Sequence, residues 1–118
     1  MKAKDVLGRR GEDLAAGYLE EAGMLVVERN WRCSGGEIDI VALDGDALVI
    51  AEVKTRKSLD YGHPFEAVGP KKLARLHRLG AAWCRDHELR MPLRRIDVIA
   101  VVDDGGGNPV LEHLKGVG

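Results

Sequence analysis

Two β-rich runs joined by an Asp-Gly turn decide the architecture more than anything else in this sequence. Glu37-Ile38-Asp39-Ile40-Val41-Ala42-Leu43 leads through Asp44-Gly45-Asp46 into Ala47-Leu48-Val49-Ile50-Ala51-Glu52-Val53-Lys54. An Asp-Gly pair between such runs is a strong hairpin signal. The second run is apolar on both faces until Glu52. Such a strand must be covered on both sides, which makes it a central strand.

The covering elements are legible on either side of the hairpin. From about Asp5 to Ala22, Leu14, Ala15, Tyr18, Leu19 and Ala22 fall on one helical face, with Gly23 placed to end the helix. Pro70 suits the first turn of a second helix that continues through Leu73, Leu76, Leu79 and Trp83 to about His87. Met24 to Val27 reads as a short strand, and Asn30 with Ser34-Gly35-Gly36 marks a loop around Trp31. Thr55 to Gly69 is a polar loop. Ile96 to Val102 is a long strand, and Val110 to Leu114 an edge strand. The order α, β, β, β, α, β, with a final β, predicts an α/β fold: a mixed sheet with helices packed on it. At 118 residues the chain has the size of one domain, 1–118. Its core is expected over about 5–102, with 103–118 as a loop and edge strand.

Composition narrows the function classes. Aromatic residues are only 4%, so the core rests on Leu, Val, Ile and Ala. A net charge of −1 and a pI of 6.4 exclude a wholly cationic nucleic-acid binder, but not a local basic face. The charge is in fact segregated. The stretch between Arg32 and Lys54 holds Glu37, Asp39, Asp44, Asp46 and Glu52 and no basic residue. From Lys71 to Arg95, eight basic residues face only Asp86 and Glu88. Cys33 and Cys84 lie far apart, and neither they nor the scattered histidines have zinc-site spacing. The opening Met1-Lys2-Ala3-Lys4-Asp5 leads into a charged helix, and no apolar run approaches a membrane span of about 20 residues. A cytoplasmic protein with no targeting segment and no membrane partner is the expectation.

Strand parity gathers the carboxylates. Residues two apart share a face. A two-residue turn at Asp44-Gly45 sets Asp39 opposite Ile50, and one at Gly45-Asp46 sets it opposite Glu52. Both registers put Asp39, Glu52 and Lys54 on one face, and Glu37 shares the face of Asp39. Two carboxylates on a partly buried sheet need a compensating cation. Lys54 supplies one charge; a divalent ion supplies two, and oxygen ligands favour Mg²⁺ or Mn²⁺ over zinc. The plain alternative is a structural salt bridge from Lys54 to Glu52 or Asp39. Glu12 lies at the border of the apolar face of helix 1, in reach of the sheet; the alternative there is a first-turn Glu favoured by the helix dipole. Lys72 is the only charge on the stripe Lys72, Leu76, Leu79, Trp83 and aims toward the sheet; the alternative is a snorkelling lysine.

Asp39 followed by Glu52-x-Lys54, with Glu12 on a preceding helix, resembles the PD-(D/E)xK nuclease superfamily. A fuller set resembles the YraN-like family, an uncharacterised bacterial family similar to archaeal Holliday-junction resolvases. That set is Gly8-x-x-Gly11-Glu12, Asn30, Gly36-Glu37-Ile38-Asp39-Ile40, Glu52-Val53-Lys54-x-Arg56, Lys72 and Arg95-Ile96-Asp97-Val98. It extends over about Leu7 to Val102. The resemblance implies a restriction-endonuclease-like αβββαβ core, with a mixed central sheet flanked by helices. It implies that Asp39 and Glu52 bind Mg²⁺ or Mn²⁺, with a carbonyl near Val53 contributing. Lys54 would steady the attacking water or the developing phosphorane charge, and Glu12 would complete the acidic shell. The reaction would be metal-assisted hydrolysis of a phosphodiester, in DNA that is branched or structured. Lys71, Lys72, Arg75 and Arg56 would meet the phosphate backbone. Junction resolvases pair two active sites across a symmetric substrate, so by analogy a homodimer is also implied. The superfamily's Pro is replaced here by Ile38. Asp97 is read as a strand residue paired with a nearby Arg, outside the site. The competing readings are a nucleic-acid-binding module without turnover and a purely structural ion-pair cluster.

Overall fold

β-strands Leu25–Cys33 (β1), Gly36–Asp44 (β2), Ala47–Arg56 (β3), Arg94–Val102 (β4) and Val110–Leu114 (β5) form one sheet in the order β1-β2-β3-β4-β5. Helix Ala3–Glu21 (α1) precedes the sheet in sequence, and helix Pro70–Asp86 (α2) connects β3 to β4. This computed structural model describes residues 3–60 and 62–118; Met1, Lys2 and Tyr61 lie outside the described residues. The expected mixed α/β architecture is the observed one. The β3–β4 pair is parallel and every other pair antiparallel. A parallel pair cannot be joined by a tight turn, which is why the longest connection, carrying α2, falls there.

Each helix covers one face of the sheet. Ala15, Ala16 and Leu19 of α1 bury against Ile40, Ala42, Val49, Ala51, Ile99 and Val101. Leu76, Leu79 and Trp83 of α2 bury against Val41, Leu48, Ile50 and Ile96. The alternation along β3, Val49 and Ala51 one way and Leu48 and Ile50 the other, is the two-sided burial that its apolar run predicts. The cysteines are free, Cys33 exposed and Cys84 buried.

Two local backbone features shape the end of the sheet near Asp39 and Glu52. Ser34 and Gly35 form the β1–β2 turn, between the paired residues Cys33 and Gly36. β1 is therefore longer than its sequence suggests, and Trp31 sits in the strand rather than in a loop. Asn30 looks like turn punctuation but takes φ +55° inside the strand, a left-handed conformation that Asn tolerates better than most residues. The second feature is Gly11. A Cβ there would collide with Thr55 Oγ1, so the missing side chain is what lets α1 lie against the end of β3.

Candidate active site

The β2–β3 turn is Gly45-Asp46, because Asp44 pairs with Ala47. Gly45 takes φ +60° at the first central position, where the favoured hairpin turns call for a positive φ. Of the two registers open from sequence, this one brings Asp39 opposite Glu52. The ladder itself stops one step earlier, at Ile40 and Ala51. Ile38 packs with the α2 cluster and Ile40 with the α1 cluster. Strict alternation therefore breaks at Asp39, which turns toward β3. There its Oδ2 accepts a hydrogen bond from the Val53 backbone N–H at 2.8 Å.

Glu52 is 5% exposed. It stands between two ammonium groups, Lys54 Nζ at 3.7 Å from Oε1 and Lys72 Nζ at 3.6 Å from Oε2. Lys72 thus reaches the sheet from the first turn of α2, as its place on the apolar stripe predicts. Glu12, at the edge of α1, lies 3.9 Å from Arg29 and beside Asn30. Glu12, Asp39 and the run from Glu52 to Arg56 line one open cavity of about 440 Å³, together with Leu7 and Gly8. Val53 and Arg56 are thereby at the cavity, and the Arg56 guanidinium donates to the Thr55 carbonyl at 3.0 Å. Lys71 and Arg75 are not; they are exposed along α2. Glu37 is also outside, held by Arg32 at 3.1 Å. Asp97 is fully buried elsewhere, bound by Arg95, His113 and the Gly116 N–H.

The electrostatics are those of crowded carboxylates. Burial, and then the neighbouring Glu52, push the Asp39 carboxyl up to about 7, against the lowering effect of the Val53 N–H. Glu12 is raised as well, by burial and by Asp39, which outweigh Asn30 and Arg29. Glu12 Oε1 and Glu52 Oε2 are buried with no hydrogen-bond partner. Buried carboxylate oxygens without hydrogen bonds, their nearest cations 3.6–3.9 Å away and a raised acid beside them, are what a divalent cation would relieve. The donor set therefore fits Mg²⁺ or Mn²⁺. Among the described residues no three His, Cys, Asp or Glu side chains form a ready ligand group. Asp39 and Glu52 would hold the ion with backbone or solvent oxygens, and Glu12 would act from the rim.

The resemblance includes Asn30 without a role, and sequence reasoning misses Arg29 altogether. Asn30, from its left-handed position, lowers the Glu12 carboxyl, and Arg29 faces the same carboxylate at 3.9 Å. Read from residue type alone, an Asn before a Trp in a β-rich run looks like a loop, which hides the strand that carries both residues.

Fold and site together define a mixed α/β protein with a carboxylate–lysine cluster where its central hairpin opens. The chain belongs to the uncharacterised protein family UPF0102, whose profile matches residues 11–101. It is 88% identical over 117 residues to a UPF0102 protein of Pseudarthrobacter chlorophenolicus, covering 99% of this chain and 89% of that one. It is 80% identical to one of Arthrobacter sp. strain FB24 over the full length of both chains. A UPF0102 protein of Streptomyces griseus is 57% identical, with 99% of each chain covered. No helix among the described residues is long and apolar enough to cross a membrane.

Proposed function

We propose that this protein is a divalent-metal-dependent nuclease of the PD-(D/E)xK type that hydrolyses phosphodiester bonds in DNA, with branched or structured DNA as its substrate. One observation carries the reading: Asp39 and Glu52 are neighbours just past the last paired residues of the hairpin, in one cavity with Lys54 and Glu12. A bound Mg²⁺ or Mn²⁺ would supply a Lewis acid and lower the pKa of water. Asp39 and Glu52 would hold that ion. Lys54, beside Glu52, orients the nucleophile or offsets charge developing on phosphorus. Lys72 and Arg56 place the substrate phosphates. The reading puts the protein in the cytoplasm with its DNA, and a homodimer would serve a two-fold symmetric junction.

The test is a panel of linear, single-stranded, flap and four-way-junction DNA incubated with protein and Mg²⁺ or Mn²⁺. Cleavage lost in Asp39→Ala is expected. If every substrate stays intact under conditions where it is bound, the nuclease reading is wrong. A second reading has its own support. Lys54 and Lys72 already neutralise Glu52, so the fold can also serve as a binding module without turnover. DNA binding that is independent of metal and unchanged in Asp39→Ala would favour it.

A further inference from the structure

Lys71, Arg75, Arg78, Arg85, Arg90 and Arg94 are all exposed. None of them makes an ion pair among the described residues, whereas Arg10, Arg29, Arg32 and Arg95 each do. Lys71, Arg75, Arg78 and Arg85 recur at helical spacing and form a stripe down one flank of α2. The Arg75 side chain passes 3.6 Å from where a Cβ on Gly36 would stand, so the stripe runs beside the β1–β2 turn. At the far end of α2, Arg85, Arg90 and Arg94 line an open cleft of about 640 Å³ over Cys84 and Met91, with Glu88 as its one acid. Helix rise puts Arg85 about 21 Å from Lys71.

Two ordinary explanations account for only part of this. Basic residues near a helix C-terminus offset its dipole, which covers Arg85. Lys71 sits in the first turn, where cations are disfavoured and which holds no acid, while Lys72 beside it is engaged by Glu52. A solvated surface does not call for charge placed against the dipole; an anion does.

We propose that the α2 stripe and the cleft beyond it are a second anchor for the phosphodiester backbone of a nucleic-acid duplex whose scissile part lies over Asp39 and Glu52. This rests on the nuclease reading of that cavity. The geometry favours a duplex. A span of about 21 Å is roughly 6 base pairs at 3.4 Å each, and a duplex with a persistence length near 150 base pairs crosses it without ordering cost. Single-strand binders stack bases on aromatic side chains, and the stripe has none. Its Lys and Arg side chains meet phosphates rather than base edges, so the anchor is indifferent to sequence.

Fluorescence anisotropy on the full chain in EDTA tests this, since nothing is cut. The probes are a duplex of about 24 base pairs, its single strand, and a hairpin whose stem of about 4 base pairs is shorter than the span. The wild type is expected to bind the long duplex at least tenfold tighter than the hairpin. The triple variant Arg85→Ala, Arg90→Ala, Arg94→Ala should lose that advantage while binding the hairpin as before. Its slope of log affinity against log salt should be shallower by about 2–3. The corresponding Arg→Lys variant should keep most of the affinity, which separates lost charge from lost fold. A triple Ala variant that keeps wild-type affinity for the long duplex overturns the anchor and leaves the cavity reading standing. Tighter binding of the single strand overturns the duplex. Wild-type protein that binds no nucleic acid at low salt removes both anchor and cavity reading.

Discussion

Asp39 substitutes its own carboxylate for a rung of the sheet: its Oδ2 takes the Val53 N–H just past the last paired residues of β2 and β3. The two strands are held together there by the side chain that also faces Glu52. Fastening the hairpin and presenting the acid are thus one act.

That arrangement has a measurable cost. The Asp39 carboxyl sits at about 7 in the folded chain because of burial and Glu52, against roughly 4 in an unfolded one. Between those values the native state keeps a proton that the unfolded state releases, so stability falls as pH rises through this window. Asp39→Asn keeps an acceptor for Val53 and carries no charge. Denaturant titrations from pH 4 to pH 8 should show a decline in the wild type that is flattened in the variant, with the variant the more stable at pH 8. Parallel curves would mean that Asp39 does not titrate as described.

A cation should remove the same cost. Calorimetric titration of Mn²⁺ or Mg²⁺ is expected to show binding in the wild type and none in Asp39→Ala. An ion at a hundred times its Kd stabilises by about 2.7 kcal/mol, visible as a rise in Tm. Equal Tm values with and without metal would leave the orphaned oxygens of Glu12 and Glu52 without this explanation.

Gly11→Ala is expected to destabilise by about 1–3 kcal/mol, since the added methyl must displace Thr55. Combined with Thr55→Ala it should cost less than the sum of the two single changes, as contacting residues do. A double-mutant cycle in urea reads this directly. Strict additivity would show that α1 and β3 are not in contact at this point.

On β4, next to the edge strand β5, Asp97 joins Arg95, His113 and the Gly116 N–H. Burial pushes its carboxyl up, but these partners together hold it below the ordinary carboxylate range. Its contribution is present at neutral pH and is lost as pH falls below roughly 4. Asp97→Asn should lower stability at pH 7 by about 3 kcal/mol or more. It should also speed hydrogen exchange at the Gly116 and Val117 amides, which bond Asp97 and Ile96. Unchanged exchange would separate the C-terminal residues from this cluster.

Much of the fold and site is readable from residues alone, for physical reasons. The two-sided apolar run of β3 can only be central, and the single charge on the inner stripe of α2 has to find a partner on the sheet. The turn is ambiguous because Asp44-Gly45 and Gly45-Asp46 are both good turn pairs, and only backbone pairing chooses between them. β1 reads short because Asn30 and Ser34-Gly35-Gly36 give the same signal whether the chain turns or takes one left-handed residue within a strand. The slip of alternation at Asp39 has no signature in residue type. It arises where two strands part, a property of three-dimensional packing.

The unpaired bases of α2 give a nearly neutral protein an electrical polarity. A chain of net charge −1 has little reason to be drawn to a polyanion from afar, yet one flank of this molecule is cationic along a whole helix. In the field of such a polymer the molecule feels a torque before it feels a pull. It would arrive already turned, α2 first, and low salt would quicken its capture although its isoelectric point forecasts indifference.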